Sequence, residues 1–319
     1  MSSFRFAALS EAPVAEVVEV INAAYDDWRR LPRVDAYVAQ DPPPVSVESL
    51  SAGTERGDVC PEASVVCMDG DTVIGVATVG FNGTAHRARL GWVAVLPAYR
   101  RRGAGRELLL HAMEQARARG CREIITARFI DSRYLPAVHL LESTGFVWAN
   151  PERCNVTMVS AIDKWEPREI CLPPGFTIRT WQDGDELAWT QVKRAAFEDD
   201  TPVGWWSRTF GSRHDFDPRG WHLCEYQGQV VAIAAAVVTR HPETGDVMGC
   251  CIEWVGVLPE FRGLGLGRAI VTACLNYAKQ FRPDPVVIVT QPNRKRAVAL
   301  YESLGFRTVR QWREYLAIL

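Results

Sequence analysis

No C-x-x-C pair occurs in the 319 residues, and the nine cysteines are an odd number set mostly inside apolar patterns. A disulfide framework is therefore excluded as the organising principle, and reduced thiols are expected, the adjacent Cys250 and Cys251 included. No metal site is expected either. No apolar run reaches membrane-spanning length, and Met1 to Phe6 lead into no signal-peptide core, so a cytoplasmic protein without a membrane partner is expected. Neither sign of charge dominates: 36 Lys and Arg stand against 38 Asp and Glu, for a net charge of −2. That argues against nucleic acid or an anionic membrane as the main partner. What the chain does have is length for two domains, each with its own core, and eleven tryptophans, several crowding 181–221.

One stretch stands out, Cys251-Ile252-Glu253-Trp254-Val255-Gly256-Val257-Leu258-Pro259-Glu260-Phe261-Arg262-Gly263-Leu264-Gly265-Leu266-Gly267-Arg268. An apolar, β-branched run ended by Pro259 predicts a buried strand. After the glycines, Ile270, Cys274, Tyr277 and Phe281 recur at helical spacing. Glycines between strand end and helix start let backbone N–H groups converge. The unpartnered first-turn amides then make an anion site suited to a phosphate or diphosphate. No lysine follows the glycines, which excludes a Walker A loop. A dinucleotide fingerprint fails at Arg268, and Asp284 precedes the next strand (Val286 to Thr290) where such a site needs an acid at a strand end.

The block occurs twice at a constant offset. Trp92, Val93, Val95, Leu96, Pro97, Arg100, Gly103, Gly105 and Arg106 each have the same residue in the later copy. Arg-x-x-Gly-x-Gly after a strand and a proline, in duplicate, resembles the acyl-CoA loop of the GNAT (N-acetyltransferase) superfamily.

Each half reads β-α-β-β-β-α-β-α-β-β. Strands at Phe4-Arg5-Phe6 and Phe176 to Arg179 open the halves, each followed by a helix. Irregular stretches follow at Leu31 to Glu62 and Asp200 to Trp221. Hairpins turn at Gly70-Asp71 and Gln227-Gly228. After the signature strands, loops and helices come strands at Ile124 to Phe129 and Val286 to Thr290. Next is a short helix ending at Gly145-Phe146 or Gly305-Phe306, then a closing hairpin (Phe146 to Ile162; Phe306 to Ile318). The expected class is α/β, an α+β mixed sheet, as two tandem GNAT acyl-CoA N-acyltransferase domains at 1–164 and 176–319. Trp165 to Gly175 would be the linker. The length and linker are similar to the tandem architecture of mycothiol synthases; no motif carries over their acceptor.

The resemblance implies acetyl-CoA as co-substrate, lying in a gap between the signature strand and the next. Val255 and Val257 would line the pantetheine arm, and Arg262, Gly263, Leu264, Gly265, Leu266, Gly267 and Arg268 the diphosphate. Attack of an amine on a thioester creates an oxyanion that a fixed amide such as that of Val255 would stabilise. An alkylamine is mostly protonated near neutrality, so a base is needed, and the departing thiolate benefits from an acid. Tyr301 stands where the family's motif has its tyrosine acid; the plainer alternative is a structural tyrosine. Asn293 fits a coenzyme hydrogen-bonding position or an N-cap. Strand alternation puts Cys251, Glu253 and Val255 on one face. Glu253 is the candidate base, although mycothiol synthases place theirs two residues earlier, at the position of Cys251. Asp199 and Asp200 could attract a cationic amine or merely end a helix.

The first half carries Leu141, Arg133 and Gly91 at the positions of Tyr301, Asn293 and Glu253. Its loop is intact and more basic: Val93, Val95, Arg100, Arg101, Arg102, Gly103, Ala104, Gly105 and Arg106. It is expected to bind acetyl-CoA, or to be a structural pseudo-domain, without turnover. The leading expectation is acetyl transfer to a small-molecule amine by the C-terminal half, in a monomer or homodimer. A protein or peptide acceptor, and a non-catalytic acyl-CoA-binding sensor or assembly module, are the alternatives.

Overall fold

The computed structural model describes residues 4–29, 31, 44–83, 86–212, 216–241 and 243–319. Parts of the two expected irregular stretches, including Pro42 and Pro43, and the first three residues lie outside the described residues. The described chain forms two compact units. One contains the residues up to Cys154 together with Gln311–Leu319, and the other Asn155–Arg310.

In chain order the first unit contains β1 (Arg5–Ala8), α1 (Val14–Arg29), α2 (Val47–Glu55), β2 (Val65–Asp69), β3 (Thr72–Gly80), β4 (Arg87–Val95), α3 (Ala104–Ala118), β5 (Glu123–Thr126), β6 (Ile130–Asp131), α4 (Leu135–Ser143) and β7 (Val147–Trp148). The second contains β8 (Asn155–Ser160), β9 (Phe176–Thr180), α5 (Glu186–Phe197), β10 (Trp221–Tyr226), β11 (Gln229–Arg240), β12 (Val247–Val257), α6 (Leu266–Lys279), β13 (Val286–Thr290), α7 (Lys295–Ser303) and the start of β14 (Arg307–Arg313). The chain then enters β15 (Tyr315–Ile318). The element order expected of the second half is the one observed. The first half adds α2, which begins in a capping box between Ser46 and Ser49, and the short β6.

One sheet runs β1-β2-β3-β4-β5-β15-β7, and the other β6-β14-β8-β13-β12-β11-β10-β9, with β6 on the end of β14. Side-chain alternation sets which face each residue buries. Val65 and Cys67 join the cluster of Leu108, Leu109 and Ala112 on α3, while Val66 and Met68 join that of Val17 and Ile21 on α1. In the second unit, a Cβ on Gly256 would meet Ala196 and Phe197 of α5 at 3.0 and 3.3 Å. Its neighbour Val257 lies 4.0 Å from a Cβ on Gly267 of α6, so the two helices cover opposite faces.

The two closing hairpins are not formed. β7 pairs with β15, β15 with β5, and β8 with β13. Only Glu314 separates β14 from β15, and one residue cannot reverse a chain, so β15 carries on into the first unit's sheet. Asn155–Ser160 and Gln311–Leu319 therefore lie in the opposite units from those that sequence order suggests. The expected linker packs onto its own unit: Trp165 Nε1 and the Arg168 N–H both donate to Asn276 Oδ1 on α6, each at 3.1 Å.

Candidate active site

The central feature of the second unit is a fork. Parallel β12 and β13 pair at Cys250↔Val286 and Cys251↔Val287, after which the strands part. A register shift against β11 falls at the same place, between the pairs Ala235↔Glu253 and Ile233↔Gly256. Trp254 there adopts φ +55°, a conformation that a bulky side chain takes only when its surroundings enforce it. Such a bulge turns backbone N–H groups out of the ladder and bends the strand.

Beyond the fork, Arg262 ties the loop down. Its Nε donates to the Val257 carbonyl at 3.2 Å and its Nη2 to the Ala196 carbonyl at 3.3 Å. The guanidinium thus anchors the loop to the end of α5. Gly263 and Gly265 have φ of +86° and +83°, with nothing within 4 Å of an added Cβ. Gly265 caps α6 without a side-chain hydrogen bond, so the first-turn amides meet an open cradle. Leu264 is exposed, whereas Leu266 is buried as the first helical residue. A Cβ on Gly267 would lie 3.4 Å from Leu300, so this glycine lets α7 approach α6 closely. Arg268 donates to Ser303 Oγ of α7 at 2.7 Å. Open space over two left-handed glycines at a helix start fits a diphosphate.

Tyr301 on α7 is buried, its ring 6.2 Å from that of Phe306. Burial pushes its phenol up to about 12, and the Arg294 cation pulls against that rise. It is therefore a protonated, donor-capable group at neutral pH. Glu253 and Cys251 share a face, as alternation implied, and the buried Cys251 thiol donates to the Glu253 carboxylate. Burial, then that carboxylate, push the thiol well above the ordinary range. Asn293 is exposed in the turn before α7; the N-cap is Arg294, which makes no side-chain capping bond. The Arg294 guanidinium stands 5.2 Å from the Phe197 ring. Val255 and Val257 of β12 are half-buried.

On the α5 face, Trp254 meets Trp189, Trp205, Phe197 and Phe210 at ring distances of 5.3–6.3 Å. Lys193 of α5, only 3% exposed, sits among them, 4.9 Å from the Trp254 ring and 5.2 Å from the Trp205 ring. It bonds to Asp199 and Thr201. Although burial opposes it, hydrogen bonds from Lys193 and Thr201 hold the Asp199 carboxyl below its usual range. Asp199 thus answers an internal cation, and Asp200 is exposed beside it. Sequence reading missed Lys193, Arg294 and the strained Trp254. A buried lysine announces itself only through the aromatic residues the fold brings around it.

The first unit repeats the loop. Gly103 has φ +93° with nothing near an added Cβ, and it caps α3 without a side-chain bond. Arg100 reaches the Val95 and Ala24 carbonyls at 3.3 and 2.8 Å and pairs with Asp27, the anchoring role of Arg262. Arg101 takes φ +63°, Arg102 stacks over Tyr99, and Arg106 pairs with Glu107. Ala104 is buried, and a Cβ on Gly105 would press Leu140 at 3.2 Å, as Gly267 faces Leu300. Val93 and Val95 pack beside the α3 cluster. The fork is closed further: β4 and β5 pair from Arg87↔Glu123 to Leu90↔Thr126, and the Ala127 N–H adds a bond to the Leu90 carbonyl at 2.7 Å. Arg133 is held by Asp131, and Leu141 lies in the core.

Among the described residues, no group of three or more His, Cys, Asp or Glu side chains could hold a metal ion, and no helix is long and apolar enough to cross a membrane. The Acetyltransferase (GNAT) family matches the chain twice, at residues 25–146 and 178–306. A mycothiol acetyltransferase of Thermomonospora curvata is 33% identical over 222 residues, covering 68% of this chain and 69% of that protein. One from Frankia casuarinae is 31% identical over 251 residues, covering 74% and 69%. A tandem GNAT protein from the clavulanic acid biosynthesis pathway superposes with a TM-score of 0.56 at 20% identity, over 99% of this chain and 98% of its own. A GCN5-related N-acetyltransferase from Sphaerobacter thermophilus gives 0.54 at 20% identity, over 99% and 95%. Those two structures share the fold. The chain belongs to the GNAT acetyltransferase family, in tandem, and is an acetyl-CoA-dependent N-acetyltransferase.

Proposed function

We propose that the second unit transfers acetyl from acetyl-CoA to the amine of a small molecule, and that the first unit does not turn over. The observation that carries this is the contrast at corresponding positions. The second unit has Glu253 at a bulged, open fork and Tyr301 on α7, where the first has Gly91 and Leu141. The relatives named mycothiol acetyltransferase support a small-molecule amine as the acceptor class.

When bound, the co-substrate supplies the acetyl group as a thioester. The loop from Gly263 to Gly267 and the start of α6 would hold its diphosphate, with Val255 and Val257 along its arm. The Val255 N–H would steady negative charge on the acyl oxygen. Glu253, directly or through water, would take the proton of the incoming amine. Tyr301, kept protonated by burial, would give a proton to the sulfur that leaves. Asn293 would hydrogen-bond the carrier from its exposed turn.

Acetyl-CoA thiol release, screened against an amine library, tests the reading. Tyr301→Phe should lower kcat by about 10²-fold or more with little change in KM for acetyl-CoA. Because the phenol titrates at about 12, kcat in the parent should show no fall from this group until the pH passes 10. Undiminished kcat in Tyr301→Phe with its best amine removes the acid from the scheme.

A further inference from the structure

The two forks differ in what their bulged backbone N–H groups touch. In the first unit the Trp92 N–H donates to Thr78 Oγ1 at 2.7 Å, a buried bond. The Tyr25 hydroxyl faces the next amide, that of Val93. Thr78 also fixes the residue opposite it: a Cβ on Gly91 would lie 2.4 Å from Thr78 Oγ1, so no side chain fits there. Tyr25 is locked in turn, its ring edge-on to Trp92 at 5.1 Å, with Arg128 over the same indole at 4.4 Å.

In the second unit the corresponding amides belong to Trp254 and Val255. Gly75 pairs with Val95 as Ala232 pairs with Val257, which puts Ala235 at the place of Thr78. Arg100 grips the Ala24 carbonyl as Arg262 grips that of Ala196, which puts Phe197 at the place of Tyr25. Both hydroxyls are replaced by groups with no oxygen, and the space beside Ala235 admits Glu253.

We infer that the first unit is a carrier site closed to the acyl group. Of the two backbone donors that would receive a thioester carbonyl, Thr78 takes one and the Tyr25 hydroxyl faces the other, so this cleft takes free coenzyme A at least as well as acetyl-CoA. This rests on the reading that the loop at Gly103 holds the carrier's diphosphate. The physical basis is donor satisfaction. A carbonyl pushed against amides already met by hydroxyls gains no hydrogen bond and loses its water, whereas a thiol demands little. The same pair also withholds the stabilisation of acyl-oxygen charge that turnover needs.

Calorimetric titration of coenzyme A and acetyl-CoA into the full chain carrying Gly265→Trp reads the first loop alone. With Thr78 and Tyr25 in place, coenzyme A should bind no more weakly than acetyl-CoA. Adding Thr78→Ala and Tyr25→Phe should shift the ratio toward acetyl-CoA by about tenfold. A site that prefers acetyl-CoA tenfold before those changes, or a ratio unmoved by them, overturns the inference. Heat from neither ligand in either protein overturns it as well, by removing the first loop as a carrier site. The mirror change guards against a misfolded variant: Phe197→Tyr alone, in the otherwise parental chain, adds the hydroxyl without crowding Glu253 opposite Ala235, and should close the second fork. Amine-dependent thiol release should fall at least about tenfold while the Kd for coenzyme A stays within about twofold. Retained turnover in that protein contradicts the assignment.

Discussion

Trp254 is held left-handed on a strand by what surrounds it. Four aromatic rings enclose its indole, and the ammonium of Lys193 lies over its face. A desolvated cation over an indole is attracted by the ring quadrupole, by about 2 kcal/mol in such settings. That attraction persists only while Asp199 and Thr201 satisfy the ammonium, since a buried lysine without an anion is costly. Removing one partner should therefore hurt more than replacing the ion pair's cation with something greasy. Asp199→Ala should cost about 2–4 kcal/mol in urea unfolding, below the full buried-pair figure because its carboxylate is partly open to water. Lys193→Met should cost less. The reverse order would show that the pair does not brace the bulge.

Strand exchange is the largest difference between what the elements promise and what they do. The closing hairpin expected over Phe306 to Ile318 needs a turn that the single residue between β14 and β15 cannot make. Tyr315 shows what decides the matter. It is fully buried in the first unit's core, with its N–H on Thr126 Oγ1 at 3.0 Å and its hydroxyl 3.1 Å from Glu142 Oε1. Tyr315→Ala should cost about 3–5 kcal/mol. It should also speed hydrogen exchange at Glu123–Thr126, the partner strand across more than half the chain. Faster exchange confined to β14 would contradict that pairing. The local chemistry was legible: glycine loops, proline strand ends and the Gln227-Gly228 turn each have the left-handed backbone or helix start their residues demand. The fork was legible only through resemblance. The strain at Trp254, the buried Lys193 and the amides facing Thr78 and Tyr25 were not, because each depends on partners 14 to 68 residues away, brought near only by the finished sheet.

Two copies of one design have kept the same carrier-loop geometry and parted at the acyl position. Both have an arginine locked onto strand and helix carbonyls, both have a left-handed glycine capping the following helix, and both have a second glycine admitting a leucine from the next helix. One copy carries Thr78, Gly91 and Leu141, and the other Ala235, Glu253 and Tyr301. The proposed division of labour rests on those three positions rather than on the loops. Because Gly103 and Gly265 have nearly the same φ and equally open surroundings, one substitution disturbs them alike. The direct measurement is amine-dependent thiol release by Gly103→Trp and by Gly265→Trp, side by side. Turnover should survive within about threefold in Gly103→Trp and fall more than about 10²-fold in Gly265→Trp. Equal losses in the two proteins, or a loss confined to Gly103→Trp, would contradict catalysis by the second unit.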